Sequence, residues 1–276
     1  MQLAEIERPI FDAVPHIFKR PLLSAGPSDP LLQVATFLAV GPQIYVDGVV
    51  VLDNQKVVVG TIGGRQIIEH ILYHPKDWMQ GTASMVMSRF EHAVQADFPL
   101  RVALDVFDKT GFGFVPITIK QSVVTSLSIR DVLRVAVASR LDTPVDRLSS
   151  PLVAIKDGRA SIGEALEIML EEDIRNVIVK DSSGSNTGVL NDRKMLEYLL
   201  SYGGREAISS KGLDGLFATQ INILDLTPAK SVDRDTPAGL AAELLLDLNT
   251  PCLLLANNSI VTPWDVVMKG LGKSKS

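Results

Sequence analysis

Apolar positions along the chain follow two alternating rhythms. Short runs rich in β-branched residues, such as Val57–Ile62, Phe114–Ile119 and Arg175–Asp181, have the length and composition of strands. Longer stretches place apolar side chains three and four residues apart, as in Leu100, Ala103, Leu104 and Phe107, which marks one buried helical face. Between Asp97 and Ala138 the order is complete. Asp97 and Pro99 open a helix, and Gly111 and Gly113 close it. The strand FVPITI follows. Lys120-Gln121-Ser122 then turns the chain into a second strand, VVTSL, and Ser128 caps a helix whose apolar face is Val132, Leu133, Val135 and Ala136. With a short extended segment at Glu91–Ala96 in front, the unit reads β-α-β-β-α.

The same order recurs. The residue that opens the second helix of each unit is Gly63, Ser128, Asn191 or Thr262, at spacings of 65, 63 and 71 residues. The residue that opens the first helix is Pro30, Pro99, Ser161 or Pro237, at spacings of 69, 62 and 76. Two independent anchors with one order and nearly one period define a fourfold internal repeat. The predicted boundaries are an N-terminal extension at 1–22 and repeats at 23–76, 84–140, 146–203 and 220–271. A unit of about 55–60 residues has a small core and a sheet with one uncovered apolar face. The repeats are therefore expected to pair, one with two and three with four, with Leu141–Leu148 as the link and the extension packed on the first pair. Tyr202–Thr219, rich in Gly and Ser, is expected to be a loop with a short helical piece.

Composition narrows the chemistry. Of 276 residues, 46% are hydrophobic and 21% charged, which supports a packed core. The formal net charge of −5 disfavours nucleic acid as a partner. A single cysteine, Cys252, excludes a disulfide framework and a cysteine-rich zinc site. His70 and His74 sit at i, i+4 without an obvious third ligand and read as helix surface. The N-terminal twenty residues are charged and carry two prolines, unlike a secretory leader, and no apolar run reaches the roughly 18 residues of a membrane span. The expected location is the cytoplasm. No nucleophile–base grouping and no Walker loop stands out, so the chain is read as no enzyme.

The tandem β-α-β-β-α unit, ending in an apolar strand followed by [Ser/Thr]-x-x-Asp, resembles the CBS domain. The pieces that carry the resemblance are SVVTSLSIRDVL in repeat two and NNSIVTPWDVV in repeat four. It implies an α+β fold of four CBS repeats paired into two Bateman modules, a layout similar to the gamma subunit of AMP-activated protein kinase. Ser128-Ile129-Arg130-Asp131 and Thr262-Pro263-Trp264-Asp265 each have two readings. One is a helix capping box. The other is a nucleotide contact, in which the helix N-terminus and hydroxyl meet phosphate or ribose and the carboxylate accepts from a ribose diol. The resemblance implies the second. It also places adenine against Ala93, Val94, Pro116 and Ile117 in repeat two, and against Ser231, Val232, Cys252 and Leu253 in repeat four, residues that plain strand packing accounts for equally well. Arg89, Arg101, Arg130, Lys230 and Arg234 are the nearby cations, each more simply read as surface charge.

Repeats one and three depart from the motif. Gly63-Gly64-Arg65-Gln66 has neither hydroxyl nor carboxylate. Asn191-Asp192-Arg193-Lys194 keeps a capping residue but puts Lys where the diol acceptor belongs. The expectation is a non-catalytic regulatory protein that binds AMP, ADP or ATP as a regulatory ligand at repeats two and four, uses no covalent cofactor or metal, and signals to an unidentified regulated protein; a homo-oligomer is allowed. The alternatives are a ligand-free interaction scaffold, or a binder of S-adenosylmethionine or nucleic acid.

Overall fold

The computed structural model describes residues 2–39, 47–74, 78–89, 92–156 and 160–272. Two sequence-level boundaries, residue 76 at the end of repeat one and Glu91 at the start of the extended segment, lie outside them.

All four repeats have the expected order. Repeat one runs Ser24–Ala25, helix Leu31–Ala39, Gly48–Leu52, Val58–Gly63, helix Gly64–Tyr73. Repeat two runs Val94–Gln95, helix Leu100–Thr110, Phe114–Ile119, Ser122–Ser128, helix Ile129–Ala138. Repeat three runs Ala154–Lys156, helix Ile162–Glu171, Asn176–Lys180, Asn186–Asn191, helix Asp192–Leu200. Repeat four runs Lys230–Ser231, helix Ala238–Leu245, Leu253–Leu255, Ser259–Val261 and a final π-helical segment, Asp265–Leu271. In every repeat the first strand pairs parallel with the second, and the second antiparallel with the third. The hairpin of repeat two turns on Lys120 and Gln121, both at positive φ (48° and 70°), which suits the twist of the flanking strands. Gly111, at φ 70°, ends the preceding helix by donating its N–H to Phe107 O.

Packing joins the repeats in two ways. Sheet faces of repeats three and four meet around Ile178, Val189, Cys252, Leu254 and Ile260, as the pairing of adjacent repeats predicts. Helices make the two larger cores, and these run between alternate repeats. One joins repeats two and four through residues such as Leu104, Leu133, Ala242 and Val266. The other joins repeats one and three through Val34, Ile67, Leu166 and Leu196.

One segment, Tyr202–Phe217, departs from the sequence reading, and two others do more than it states. The N-terminal extension inserts Ile6, Ile10, Val14 and Ile17 into the core shared by repeats two and four, and Ile10 and Phe11 donate their N–H groups to Phe98 O and Ala96 O. Tyr202–Phe217 is helical, with one break at Gly212 (φ 69°), because Ser201 caps it and Leu213 and Leu216 find a buried surface. Gly204 within it fits because any Cβ there would collide with Tyr198 O. The link at 141–148 also contributes to the core: Leu141, Val145 and Leu148 are buried, and Ser150–Pro151 adds a fourth strand to the sheet of repeat four.

Candidate functional site

Asp131 lies in the first turn of the second helix of repeat two, and Asp265 holds the matching position in repeat four. Both form the capping boxes their spacing predicts. Ser128 N–H donates to Asp131 Oδ2 at 2.8 Å and Asp131 N–H reaches Ser128 Oγ at 3.4 Å. Thr262 N–H donates to Asp265 Oδ2 at 2.8 Å, with Asp265 N–H 3.3 Å from Thr262 Oγ1. Both carboxylates are buried, Asp131 at 8% exposure and Asp265 at 2%.

Neither carboxylate is left with only its cap. Arg20, from the N-terminal extension, donates to both oxygens of Asp131, Nη1 to Oδ1 at 2.8 Å and Nη2 to Oδ2 at 2.6 Å. The same Nη2 donates to Ser126 O at 2.6 Å. His16 Nε2 is 3.2 Å from Oδ1. Burial by itself would raise the Asp131 carboxyl, but the His16 hydrogen bond, the Arg20 charge and hydrogen bonds, and the Ser128 N–H outweigh it and hold the group below its ordinary value. At Asp265, Ser150 Oγ donates to Oδ1 at 2.6 Å, Lys269 Nζ pairs with Oδ1 at 2.6 Å, and Thr262 Oγ1 donates to Oδ2 at 2.7 Å. Lys269 also donates to Leu148 O and Ser150 Oγ.

Arg130 faces away from the Asp131 carboxylate. Its guanidinium crosses to repeat four and donates to Leu245 O at 2.5 Å and Asp247 O at 3.0 Å, with longer approaches to Thr250 O. It thereby caps the C-terminal end of helix Ala238–Leu245. Arg65, at the same motif position in repeat one, pairs with Asp173 and approaches Leu170 O at the end of the corresponding helix of repeat three. The two arginines thus mark the same cross-repeat joint twice.

The remaining sequence-picked residues fall along the strands beside the two motifs. Val94 pairs with Ile117 across the parallel ladder, and both are buried with Pro116, while Ala93 is exposed. Cys252 and Leu253 are buried, Ser231 is exposed, Val232 is partly buried, and Trp264 packs against the shared core. Burial and, after it, the Asp265 charge push the Cys252 thiol up to about 12. Arg101 pairs with Glu7 and Asp105, Lys230 with Asp247, and Arg234 with Asp146. Among the described residues, no cluster of His, Cys, Asp and Glu is arranged to hold a metal, and no helix is long and apolar enough to cross a membrane.

Repeats one and three close their motifs internally. Gln66 Oε1 accepts from Gly63 N–H at 2.9 Å and its amide donates to Ser88 Oγ. Asn191 Oδ1 accepts from Lys194 N–H at 2.9 Å. Arg175 bridges Asp192, at 3.0 Å, to Asp47, at 2.8 Å. A cleft of about 240 Å³ lies between the two repeats, lined by Arg65, Glu69, Tyr73, Glu167 and Glu171.

Residues 145–201, which hold repeat three, match the CBS domain family. That segment carries a CBS domain. The whole-chain fold is similar to that of a Methanocaldococcus jannaschii protein proposed as an archaeal homologue of the gamma subunit of AMP-activated protein kinase, with a TM-score of 0.79, 14% identity, and coverage of 91% of this chain and 96% of that one. A Pyrococcus horikoshii protein of uncharacterised role matches at a TM-score of 0.56 and 14% identity, over 83% and 92% of the two chains. A CBS-domain protein of Pyrobaculum aerophilum, solved in complex with AMP, matches at a TM-score of 0.38 and 24% identity, over 43% of this chain and 88% of that one. No curated protein matches the chain in sequence. The likeness at a TM-score of 0.79 shows the fold of the chain; its ligand has to be argued from its own residues.

Proposed function

We propose that the chain is a non-catalytic regulatory protein built of four CBS repeats that binds an adenine nucleotide, AMP, ADP or ATP, at repeats two and four. The observation that carries the reading is the Asp131 carboxylate. Its back is fixed by Ser128 N–H, and its two oxygens meet a two-pronged donor at 2.8 and 2.6 Å. A ribose 2′,3′-diol is also a two-pronged donor, and the adjoining helix N-terminus favours phosphate. Asp265 repeats the motif with Thr262. Repeats two and four share one core, so occupancy of one would be felt by the other and by a protein docked on either.

A ligand-free scaffold is the second reading. It is favoured by the fact that both carboxylates already hold an internal cation, Arg20 or Lys269. Calorimetric titration of AMP and ATP into wild type, Asp131→Ala, Asp265→Ala and the double variant decides between them. The nucleotide reading requires at least a tenfold loss of affinity at one site per single variant, since each removes two charge-assisted hydrogen bonds. Equal binding by wild type and the double variant supports the scaffold.

A further inference from the structure

The repeat-two carboxylate differs from its repeat-four counterpart in where its cation comes from. Lys269 lies one turn along the same helix from Asp265. Arg20 is 111 residues away in sequence from Asp131 and is delivered by the N-terminal extension. The turn that carries it, Pro15–Lys19, is anchored: Ile17 is fully buried in the core, and Ile17 O accepts from Thr125 Oγ1 at 2.8 Å. The guanidinium sits beyond that anchor and is partly accessible, with the Arg20 side chain 17% exposed and the His16 side chain 30% exposed. A fixed base with a partly accessible functional end can release its contacts to Asp131 and Ser126 O by rotamer change, without unpacking the core.

The chemistry of the contact is equally particular. Two parallel N–H groups of Arg20 reach the two oxygens of one carboxylate. That is the donor pattern a cis-diol presents, two O–H groups side by side, and a single ammonium cannot reproduce it.

We propose that Arg20 is a built-in gate on the repeat-two site, an internal stand-in for the diol that a nucleoside ligand has to displace from Asp131. The proposal rests on the nucleotide reading above. With Arg20 seated, only the fraction of molecules with the guanidinium swung out is competent, and the apparent dissociation constant rises in inverse proportion to that fraction. Repeat four, whose cation belongs to its own helix and whose carboxylate holds one-pronged donors, lacks this gate.

Adenosine is the probe, because it carries the diol without a phosphate that Arg20 could contact once released. Its affinity is measured by calorimetry for the full chain and for Arg20→Ala, Arg20→Lys and Arg20→Ala/Asp131→Ala. The gate predicts at least tenfold tighter adenosine binding in Arg20→Ala, lost again when Asp131 is also removed. In Arg20→Lys, which keeps the charge beside the buried carboxylate and is the variant to rely on if Arg20→Ala fails to fold, it predicts about threefold tighter binding. Unchanged or weaker binding in a folded Arg20 variant overturns the gate and leaves the nucleotide reading standing wherever binding still depends on Asp131. If adenosine binds no variant while AMP binding depends on Asp265, the gate is overturned and the nucleotide reading survives at repeat four. Absence of adenosine and AMP binding in every chain overturns both.

Discussion

Arg130→Ala removes the guanidinium that ties repeat two to repeat four. In the intact protein Arg130 is 6% exposed and serves the carbonyls of Leu245, Asp247 and Thr250 at the end of helix Ala238–Leu245. Truncation leaves buried carbonyls without their donor and opens a gap in the core. Hydrogen bonds to a charged group contribute roughly 1.5–3 kcal/mol each where buried and do not add fully, so the expected loss is about 2–4 kcal/mol. At roughly 2 cal/mol/K of unfolding entropy per residue, a chain of 276 residues loses about 2 °C of Tm per kcal/mol, so Tm should fall by about 4–8 °C. Arg65→Ala is the internal control. It deletes the equivalent side chain in repeat one, but that side chain is 40% exposed and its partner Asp173 is 81% exposed. A solvent-facing pair of this kind contributes about 0–1 kcal/mol, a Tm change of about 1–2 °C or less. Arg130→Lys should fall between, since an ammonium cannot span several carbonyls. Differential scanning calorimetry of the three variants makes the comparison. Equal shifts for Arg130→Ala and Arg65→Ala would refute the assignment of Arg130 as the buried joint.

Three further outcomes follow from the same geometry. Cys252, 1% exposed with its thiol pushed up to about 12, should resist Ellman's reagent at pH 8 in the folded protein and react at once in denaturant; prompt labelling of the native chain would contradict its burial. Gly64→Ala should destabilise by about 1–2 kcal/mol, because a Cβ there would lie 2.6 Å from Asp192 Oδ2, and Arg175 keeps that carboxylate from moving aside; the loss should shrink when Asp192→Ala is added, and a neutral or stabilising Gly64→Ala would show that the contact relaxes freely. Asp131 titrates below its ordinary value in the folded state, so its contribution is complete above an unfolded pKa of about 4 and is lost as pH falls through the lower folded value; Tm measured from pH 6 to pH 2 should therefore drop more steeply for wild type than for Asp131→Asn, and parallel curves would exclude the Arg20–Asp131 pair as a stabilising contact.

How much of this was legible depended on whether the signal was local. The order of strands and helices followed from periodicity and from turn residues such as Pro99, Gly111 and Ser128, all within a few positions of the element they delimit. The Asp265–Lys269 pair was likewise present in the sequence as an i, i+4 spacing, though its burial was not. The choice of partners was not local. Each second helix carries a similar apolar stripe, and one such stripe fits another, so periodicity could not say that repeat two would share its helical core with four, and one with three. Arg20 had no signal at all, since nothing near Asp131 points 111 residues back. Glycine and serine content concealed the helix at Tyr202–Phe217, where packing of Leu213 and Leu216 overrides intrinsic preference.

The four motifs, compared with one another, bear on the two readings of the even repeats. A helix start at this position needs its first N–H groups satisfied, and repeats one and three do so with uncharged side chains: Gln66 accepts from Gly63 N–H, and Asn191 accepts from Lys194 N–H. Capping alone therefore does not call for a carboxylate. Repeats two and four place one there nonetheless, at 8% and 2% exposure, and each then recruits a cation and further donors to hold it. Burying an ion pair is a poor route to stability, because desolvating two charges offsets most of their attraction and a neutral group of similar shape commonly does as well. The carboxylates of Asp131 and Asp265 are more than the helix starts require. On the nucleotide reading, an acceptor shaped for a two-pronged donor, with Arg20 in its place here, would account for that excess at Asp131, and a bare cap would not.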